Sequence, residues 1–274
     1  MGSNAVTGSM DPAPTDRPHA IEITNVSKRF PDGKLVLEDV SYTIPDVVDV
    51  GELRVIVGPS GCGKTTLLKL IAGLTQPTSG TLHSLGKPIT DPGTDRAFMF
   101  QSHSEFPWRT VEDNVAMGLE FAGKPEKERL EAARYWLNRV GLDGVGSKYP
   151  KDLSGGMRQR LALARSLVMK PRVLLMDEPF GALDVRIRLD MQDLLWEVWK
   201  EIEGTVILVT HDIGEAVYLA DEVVIMAPDP GRIHAVVPVP LGVHRTREVE
   251  KTPEFRHLVE HITTEVRGVA RSGV

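Results

Sequence analysis

"GPSGCGKTT", Gly58 to Thr66, is the stretch that decides the fold. It follows directly on an apolar run, "RVIVG" (Arg54–Gly58), and opens the helix-forming segment "KTTLLKLIAG". The spacing is G-x-x-x-x-G-K-[ST], in the strand–loop–helix setting the motif requires. Gly58, Gly61 and Gly63 let backbone N–H groups converge on phosphate oxygens with no Cβ in the way, and Pro59, Ser60 and Cys62 complete the loop. The N-terminus of the helix adds about half a positive charge. Lys64 is expected to reach the β- and γ-phosphates of a nucleoside triphosphate and the Thr65 hydroxyl to ligate Mg²⁺, with Thr66 closing the motif. Cys62 reads as a small loop residue.

Outward from this loop, two more runs are apolar almost throughout: "RVLLMD" (Arg172–Asp177) and "VILVTH" (Val206–His211). Strands apolar on both faces belong to a parallel sheet covered by helices on both sides. Helical patterns separate them. Leu194, Leu195, Val198 and Ile202 follow helix spacing, and Gly204 stands where a C-terminal stop is expected. Lys124–Val140 is also helical and falls between core strands, as an inserted helical subdomain would. Ile21–Ile44 holds short alternating runs broken by "PDG" at Pro31–Gly33, which predicts antiparallel strands joined by a turn. After Ala227 the chain is first Pro-rich, then helical from Pro253.

The chain has 274 residues, 41% of them apolar and 26% charged, enough for one large domain or a domain with an inserted subdomain. No apolar run approaches the roughly 20 residues that span a bilayer. The first 20 residues lack the basic start and apolar stretch of a secretion signal and are expected to be a disordered leader or a remnant of cloning. The single cysteine excludes internal disulfides and suits a reducing cytoplasm. A net charge of −6 with no block of Lys and Arg argues against a dedicated nucleic-acid binder.

"VLLMDEP" (Val173–Pro179) ends a buried strand in adjacent carboxylates. Side chains alternate along a strand, so Asp177 and Glu178 cannot share one task. Asp177 suits the Mg²⁺ shell at the strand tip, and Glu178 can face the γ-phosphate and polarise an attacking water. "LSGGMRQR" (Leu153–Arg160) supplies an N-cap in Ser154, with Gly155 and Gly156 exposing N–H groups at a helix start. Met157, Leu161, Ala164 and Val168 share one face of that helix, which should end before Pro171. This is a second anion-binding helix terminus in a protein that already has one.

Taken in order, these motifs resemble the ATPase subunit of ATP-binding cassette (ABC) transporters, over a span from about Ile21 to the end of the chain. The resemblance implies an α/β fold of the P-loop NTPase class: a mostly parallel core sheet flanked by helices, an N-terminal antiparallel β subdomain and an inserted α-helical subdomain. The expected layout is an ATPase domain over 21–235, its helical subdomain at about 102–170, and a partly helical C-terminal extension over 236–274. It also implies Mg²⁺-dependent ATP hydrolysis by a head-to-tail homodimer. There Ser154, Gly155 and Gly156 of each copy meet the γ-phosphate held on the other copy's P-loop.

Further positions match the family pattern one by one. Phe30, in "VSKRF", resembles the aromatic that stacks on adenine. Gln101, in "FMFQS", resembles the glutamine that senses Mg²⁺ and the γ-phosphate and moves with the membrane partner. Asp184, in "GALD", resembles the aspartate that reaches across the dimer. His211, in "LVTHD", resembles the switch histidine, with Asp212 and Glu215 expected to cap the helix behind it.

"FPWRTVEDNVAMGL" (Phe106–Leu119), "MDEPFGALD", "PGRI" (Pro230–Ile233) and "PEFRHLVEHI" are together similar to the nitrate/sulfonate/taurine/bicarbonate import branch. That similarity implies integral-membrane permease partners, a solute-binding protein that feeds them, and a cytoplasmic place on the inner face of the membrane. Two stretches depart from the pattern. "IPDVVDVGELRV" (Ile44–Val55) carries extra residues ahead of the P-loop strand and leaves its register open, and "SHSEF" after Gln101 is more polar than usual.

Competing readings are weaker. "HLVEH" (His257–His261) matches H-x-x-E-H, but a zinc site needs a third ligand and a buried second shell, and Glu265 is the one carboxylate that follows. It is expected to be the polar side of a tail helix. A nucleic-acid-associated ABC ATPase with long coiled coils needs far more chain than lies between Lys64 and Ser154. An exporter or lipid-transport ATPase of the same fold would share the P-loop chemistry and differ in its partner.

Overall fold

The structure, a computed structural model, describes residues 18–46, 51–100, 105–199, 204–242 and 245–272. Strands β1 (Ile21–Arg29) and β2 (Leu35–Ile44) pair antiparallel about the expected turn, where Phe30 N–H donates to Lys34 O and Gly33 N–H to Phe30 O. After β3 (Glu52–Val57) and α1 (Lys64–Ile71), β4 (Ser79–Ser84) and β5 (Lys87–Pro88) complete a small antiparallel sheet of order β2-β1-β4-β5. Residues 1–17 of the expected leader and the stretch 47–50 lie outside the described residues. Ala20 is already buried.

The chain then runs through β6 (Arg96–Met99) into a helical layer of α2 (Val111–Phe121), α3 (Glu126–Arg139) and α4 (Gly155–Leu167). Thr110 starts α2 sharply, its Oγ1 accepting from Asp113 N–H at 3.1 Å. From there β7 (Val173–Asp177), α5 (Val185–Trp199), β8 (Thr205–Val209), α6 (Ile213–Leu219), β9 (Glu222–Ala227) and β10 (Arg232–Pro238) follow in order. The second sheet has the order β10-β9-β3-β8-β7-β6, with β3, β6, β7, β8 and β9 parallel and β10 antiparallel at one edge.

The three continuous apolar runs occupy the middle of this sheet because each strand feeds two cores. Leu53, Val55, Leu174, Met176, Val206 and Leu208 face the core under the helical layer. Ile56, Val173, Leu175, Ile207 and Val209 face the core shared with α1 and the antiparallel sheet. Burying each such side chain stabilises the fold by about 1.5–3 kcal/mol, so neither face tolerates a polar residue without a partner. Arg54 is buried on β3 and obeys this rule, paired with Glu52 at 2.9 Å and Glu222 at 3.4 Å.

α5 is described as far as Trp199, and residues 200–203, where its stop is expected, lie outside the described residues. Gly204 lets two chain segments meet at the start of β8: a Cβ there would lie 2.7 Å from Arg172 O, and its own carbonyl accepts from Glu52 N–H. Ile202, part of the same expectation, lies outside the described residues. The C-terminal helix α7 (Pro253–Ser272) begins where predicted and buries Phe255, Ile262 and Val269 against α6 and β9. His257, Glu260 and His261 point away from that face and are exposed.

Candidate active site

Parallel order brings the carboxyl ends of β3, β7 and β8 side by side, the usual place for a ligand crevice in an open α/β sheet. The P-loop leaves β3 there, Asp177 ends β7 with Glu178 directly after it, and His211 follows β8. Ser60, Gly61, Gly63, Lys64, Thr65, Thr66, Glu178 and His211 line one cleft of about 490 Å³, with Lys34 and Val36 from the β1–β2 hairpin as its far wall.

Gly63 turns the loop into α1 at φ 99°, a left-handed value, and a Cβ there would lie 2.6 Å from Leu37 Cδ2. No acidic residue occupies the first turn of α1, so nothing on the helix offsets its positive end. Lys64 is buried, and its Nζ donates to the carbonyls of Gly58 at 2.8 Å and Pro59 at 2.9 Å. The ammonium therefore sits inside the loop's own ring. Cys62 is buried beneath it, its thiol pushed up by burial and only partly pulled back by Lys64.

Thr65 Oγ1 donates to Asp177 Oδ1 at 2.9 Å and so ties the first turn of α1 to the end of β7. Burial pushes the Asp177 carboxyl up. The Thr65 hydrogen bond opposes this, and the neighbouring Glu178 charge adds to it. Glu178 takes φ 47°, a conformation costing a non-glycine residue of order 1–3 kcal/mol. Its N–H is held by Val209 O at 3.0 Å, and its Oε2 lies 3.5 Å from His211 Nδ1. The backbone leaves the strand path at Glu178, and the carboxylate meets the histidine at the cleft.

His211 itself is largely exposed. Asp212 caps α6 as expected, its Oδ1 accepting from Glu215 N–H at 3.0 Å. Glu215 departs from expectation. Its carboxylate turns inward and accepts from Gln192 Nε2 and the Thr210 hydroxyl. Asp212 N–H, the donor a capping box would satisfy, goes to Thr210 Oγ1.

The signature stretch forms the expected helix start, with Ser154 Oγ accepting from Met157 N–H at 3.3 Å. Nothing lies within 4 Å of the place a Gly155 Cβ would take, whereas one on Gly156 would lie 2.7 Å from Ile187 Cγ2. Gly155 is thus bare toward the outside, and Gly156 is bare because α5 packs on it. Asp184 Oδ1 accepts from Ile187 N–H at 3.0 Å, so the stretch before α5 and the signature share that neighbour.

Within one chain the cleft lining does not include Ser154, Gly155, Gly156 or Asp184. Phe30 is also outside the lining, part-exposed beside the hairpin turn with Lys28 Nζ 5.2 Å from its ring centre. Gln101 lies outside the described residues.

Three contributors escaped the sequence reading. Lys34 and Val36 reach the cleft only because the antiparallel sheet folds over the P-loop. Gln159 is buried in α4 and its Nε2 donates to Pro179 O, which links the signature helix to the turn after Glu178. A glutamine in the middle of a helix carries no local sign of such a bond.

A family model described as ABC transporter matches residues 37–181. The taurine import ATP-binding protein TauB of Escherichia coli O157:H7 is 45% identical over 239 residues, covering 85% of this chain and 92% of that protein. The nitrate import ATP-binding protein NrtD of Synechocystis is 42% identical over 254 residues, covering 90% and 95%. Among solved structures, the dimeric post-hydrolysis state of the ATP-binding cassette MJ0796 bound to ADP and Pi aligns at TM-score 0.69 and 29% identity, over 80% of this chain and 98% of that one. CbiO1 from Clostridium perfringens, part of the ABC transporter complex cbiONQ, aligns at TM-score 0.73 and 28% identity, over 89% and 99%.

Proposed function

Because this chain belongs to the ABC transporter family and has that family's ATPase fold, we propose that it is the ATP-hydrolysing subunit of an importer of the nitrate/sulfonate/taurine/bicarbonate type. It works as a head-to-tail homodimer on the inner face of the membrane, beneath integral-membrane permease subunits supplied by a solute-binding protein. The names of the taurine and nitrate relatives support the import direction and the solute class. Among the described residues no helix is long and apolar enough to cross a membrane, so the passage itself falls to the permease.

The observation that carries the reading is a division of the phosphate-binding parts. The P-loop, Glu178 and His211 line one cleft, while the second bare helix start, at Ser154 and Gly155, is not part of it. In the dimer each signature closes the other copy's cleft, with Asp184 reaching across beside it and Phe30 stacking on adenine.

The donor set fits Mg²⁺. Thr65 Oγ1 and Asp177 Oδ1 are hard oxygen ligands already 2.9 Å apart, and Mg²⁺ takes few protein ligands beside phosphates and water. Gln101 is the further ligand we assign. When bound, Mg²⁺ supplies neutralisation of charge on the β- and γ-phosphate oxygens. Lys64 exchanges the Gly58 and Pro59 carbonyls for phosphate oxygens. Glu178 orients the attacking water and draws its proton, and His211 holds Glu178 and the γ-phosphoryl oxygens in one geometry. Closure of the dimer favours one state of the permease and hydrolysis favours the other, so transport is a difference in nucleotide affinity between two states.

Glu178→Gln tests this reading. It should keep ATP binding, lower turnover by about a hundredfold or more, and leave a dimer that persists in ATP. Wild-type turnover would remove Glu178 from its role, and a variant that binds ATP but stays monomeric would remove the shared cleft.

A further inference from the structure

Behind the cleft, a line of polar contacts runs from the C-terminal segment to the residue before His211. Arg247 Nη2 donates to Gln192 Oε1 at 3.0 Å. Its guanidinium is braced by Asp193 at 2.8 Å and Glu250 at 2.7 Å and lies 3.9 Å from the centre of the Tyr218 ring. Gln192 is buried in α5, and its Nε2 donates to Glu215 Oε2 at 2.7 Å. Glu215, also buried, accepts the Thr210 hydroxyl, and Thr210 Oγ1 accepts from Asp212 N–H at 3.1 Å. The hydroxyl of Thr210 therefore spans the backbone on both sides of His211.

Two features separate this line from ordinary packing. Burying a carboxylate and an amide costs free energy that an apolar pair of the same size would not, so their return is a fixed geometry rather than stability. The line also has a direction. Gln192 turns its oxygen to a cation and its NH₂ to an anion, so rotating the amide by half a turn would set like against like at both ends. Arg245 holds the other end of α6, donating to the carbonyls of Tyr218 at 3.0 Å and Ala220 at 2.6 Å. The short switch helix is thus gripped at both ends by groups tied to the C-terminal segment.

We propose that Gln192, Glu215 and Arg247 are positioning residues for His211, and that the C-terminal segment sets the place of the switch histidine through them. The proposal rests on the role assigned to His211 above. The chain enters the reaction at one atom: the Thr210 hydroxyl, which fixes the backbone from which the imidazole projects.

The test uses the full chain with Gln192→Met, which keeps length and apolar volume while removing both bonds, together with Arg247→Ala, Arg247→Lys and the double variant. Turnover at saturating ATP and affinity for a non-hydrolysable triphosphate are measured separately, with His211→Ala in parallel. Gln192→Met and Arg247→Ala should each lower kcat by about tenfold with affinity unchanged, the loss expected when a reacting group is slightly misplaced. Arg247→Lys should recover part of the rate. The double variant should fall no further than Gln192→Met alone, because both act through one path. A folded Gln192→Met variant with wild-type kcat, losses that multiply, or affinity that falls with kcat would each overturn the relay. If His211→Ala is inactive while Gln192→Met is not, only the relay falls. A fully active His211→Ala removes the role of the histidine, and the relay with it.

Discussion

The Thr65 hydroxyl and the Asp177 carboxylate are joined by a 2.9 Å hydrogen bond across the cleft floor. One comes from the first turn of a helix and the other from the tip of a strand 112 residues later. Their meeting turns two separate motifs into one site.

Asp177→Asn keeps the shape of this contact and removes the charge. Nucleotide binding without Mg²⁺ should be nearly unchanged, while the gain in affinity on adding Mg²⁺ should shrink by about tenfold or more, as for loss of a charged ligand worth 1.4 kcal/mol or more. Titrating a fluorescent triphosphate with and without Mg²⁺ reads the difference. An undiminished Mg²⁺ effect would take Asp177 out of the metal shell.

Gly156 is bare where Ile187 packs on it, and this can be separated from the proposed contact with a partner's nucleotide. Gly156→Ala should destabilise the chain by about 1–3 kcal/mol, because its Cβ would press on Ile187 at 2.7 Å. Adding Ile187→Ala should restore the denaturation midpoint by making room. If Gly156 also meets the partner's nucleotide, the double variant should regain stability and still hydrolyse ATP poorly. Recovery of both would confine Gly156 to packing.

Arg245 is almost fully enclosed, its side chain 1% exposed, and it satisfies carbonyls at the end of α6. Arg245→Ala leaves them buried without a donor and should cost about 3 kcal/mol of stability. Arg245→Lys should recover only part of that, since one ammonium cannot reproduce the fork. Urea denaturation of the variants checks both points, and a near-neutral Arg245→Ala would show that water replaces the guanidinium.

Glu215 supplies a pH signature. Burial pushes its carboxyl up, against the hydrogen bonds from Thr210 and Gln192. A carboxyl whose folded value is raised favours the fold while protonated, so its contribution is complete below the ordinary carboxylate range near about 4 and fades as pH rises through the raised folded value. Glu215→Gln should therefore gain stability relative to the wild-type chain on going from acid to neutral pH. Denaturation midpoints across that interval measure it, and a flat difference would contradict the burial of the charge.

Much of this protein could be read before its fold was known. The P-loop, the carboxylates at the strand tip, the capped signature and the histidine after the last apolar run are short-range patterns, and their chemistry lies within a few consecutive residues. Glu215 was legible as a neighbour of the cap but misassigned, since its actual partners, Gln192 and Thr210, are settled by how α5 lies on α6. What Gly204 meets, the carbonyl of Arg172 just ahead of β7, was beyond local reading in the same way.

By itself, then, the sequence determined the kind of fold and where its phosphate-binding backbone lies, because phosphate-binding backbone, apolar strands and helix caps are local requirements written in adjacent residues. Tertiary structure alone decided that Lys34 and Val36 wall the cleft, that Ile187 forbids a side chain on Gly156, and that Arg245 and Arg247 brace the switch helix from the far end of the chain. Those contacts join segments far apart along the chain, and only close packing selects them from the many pairs that the same composition would allow.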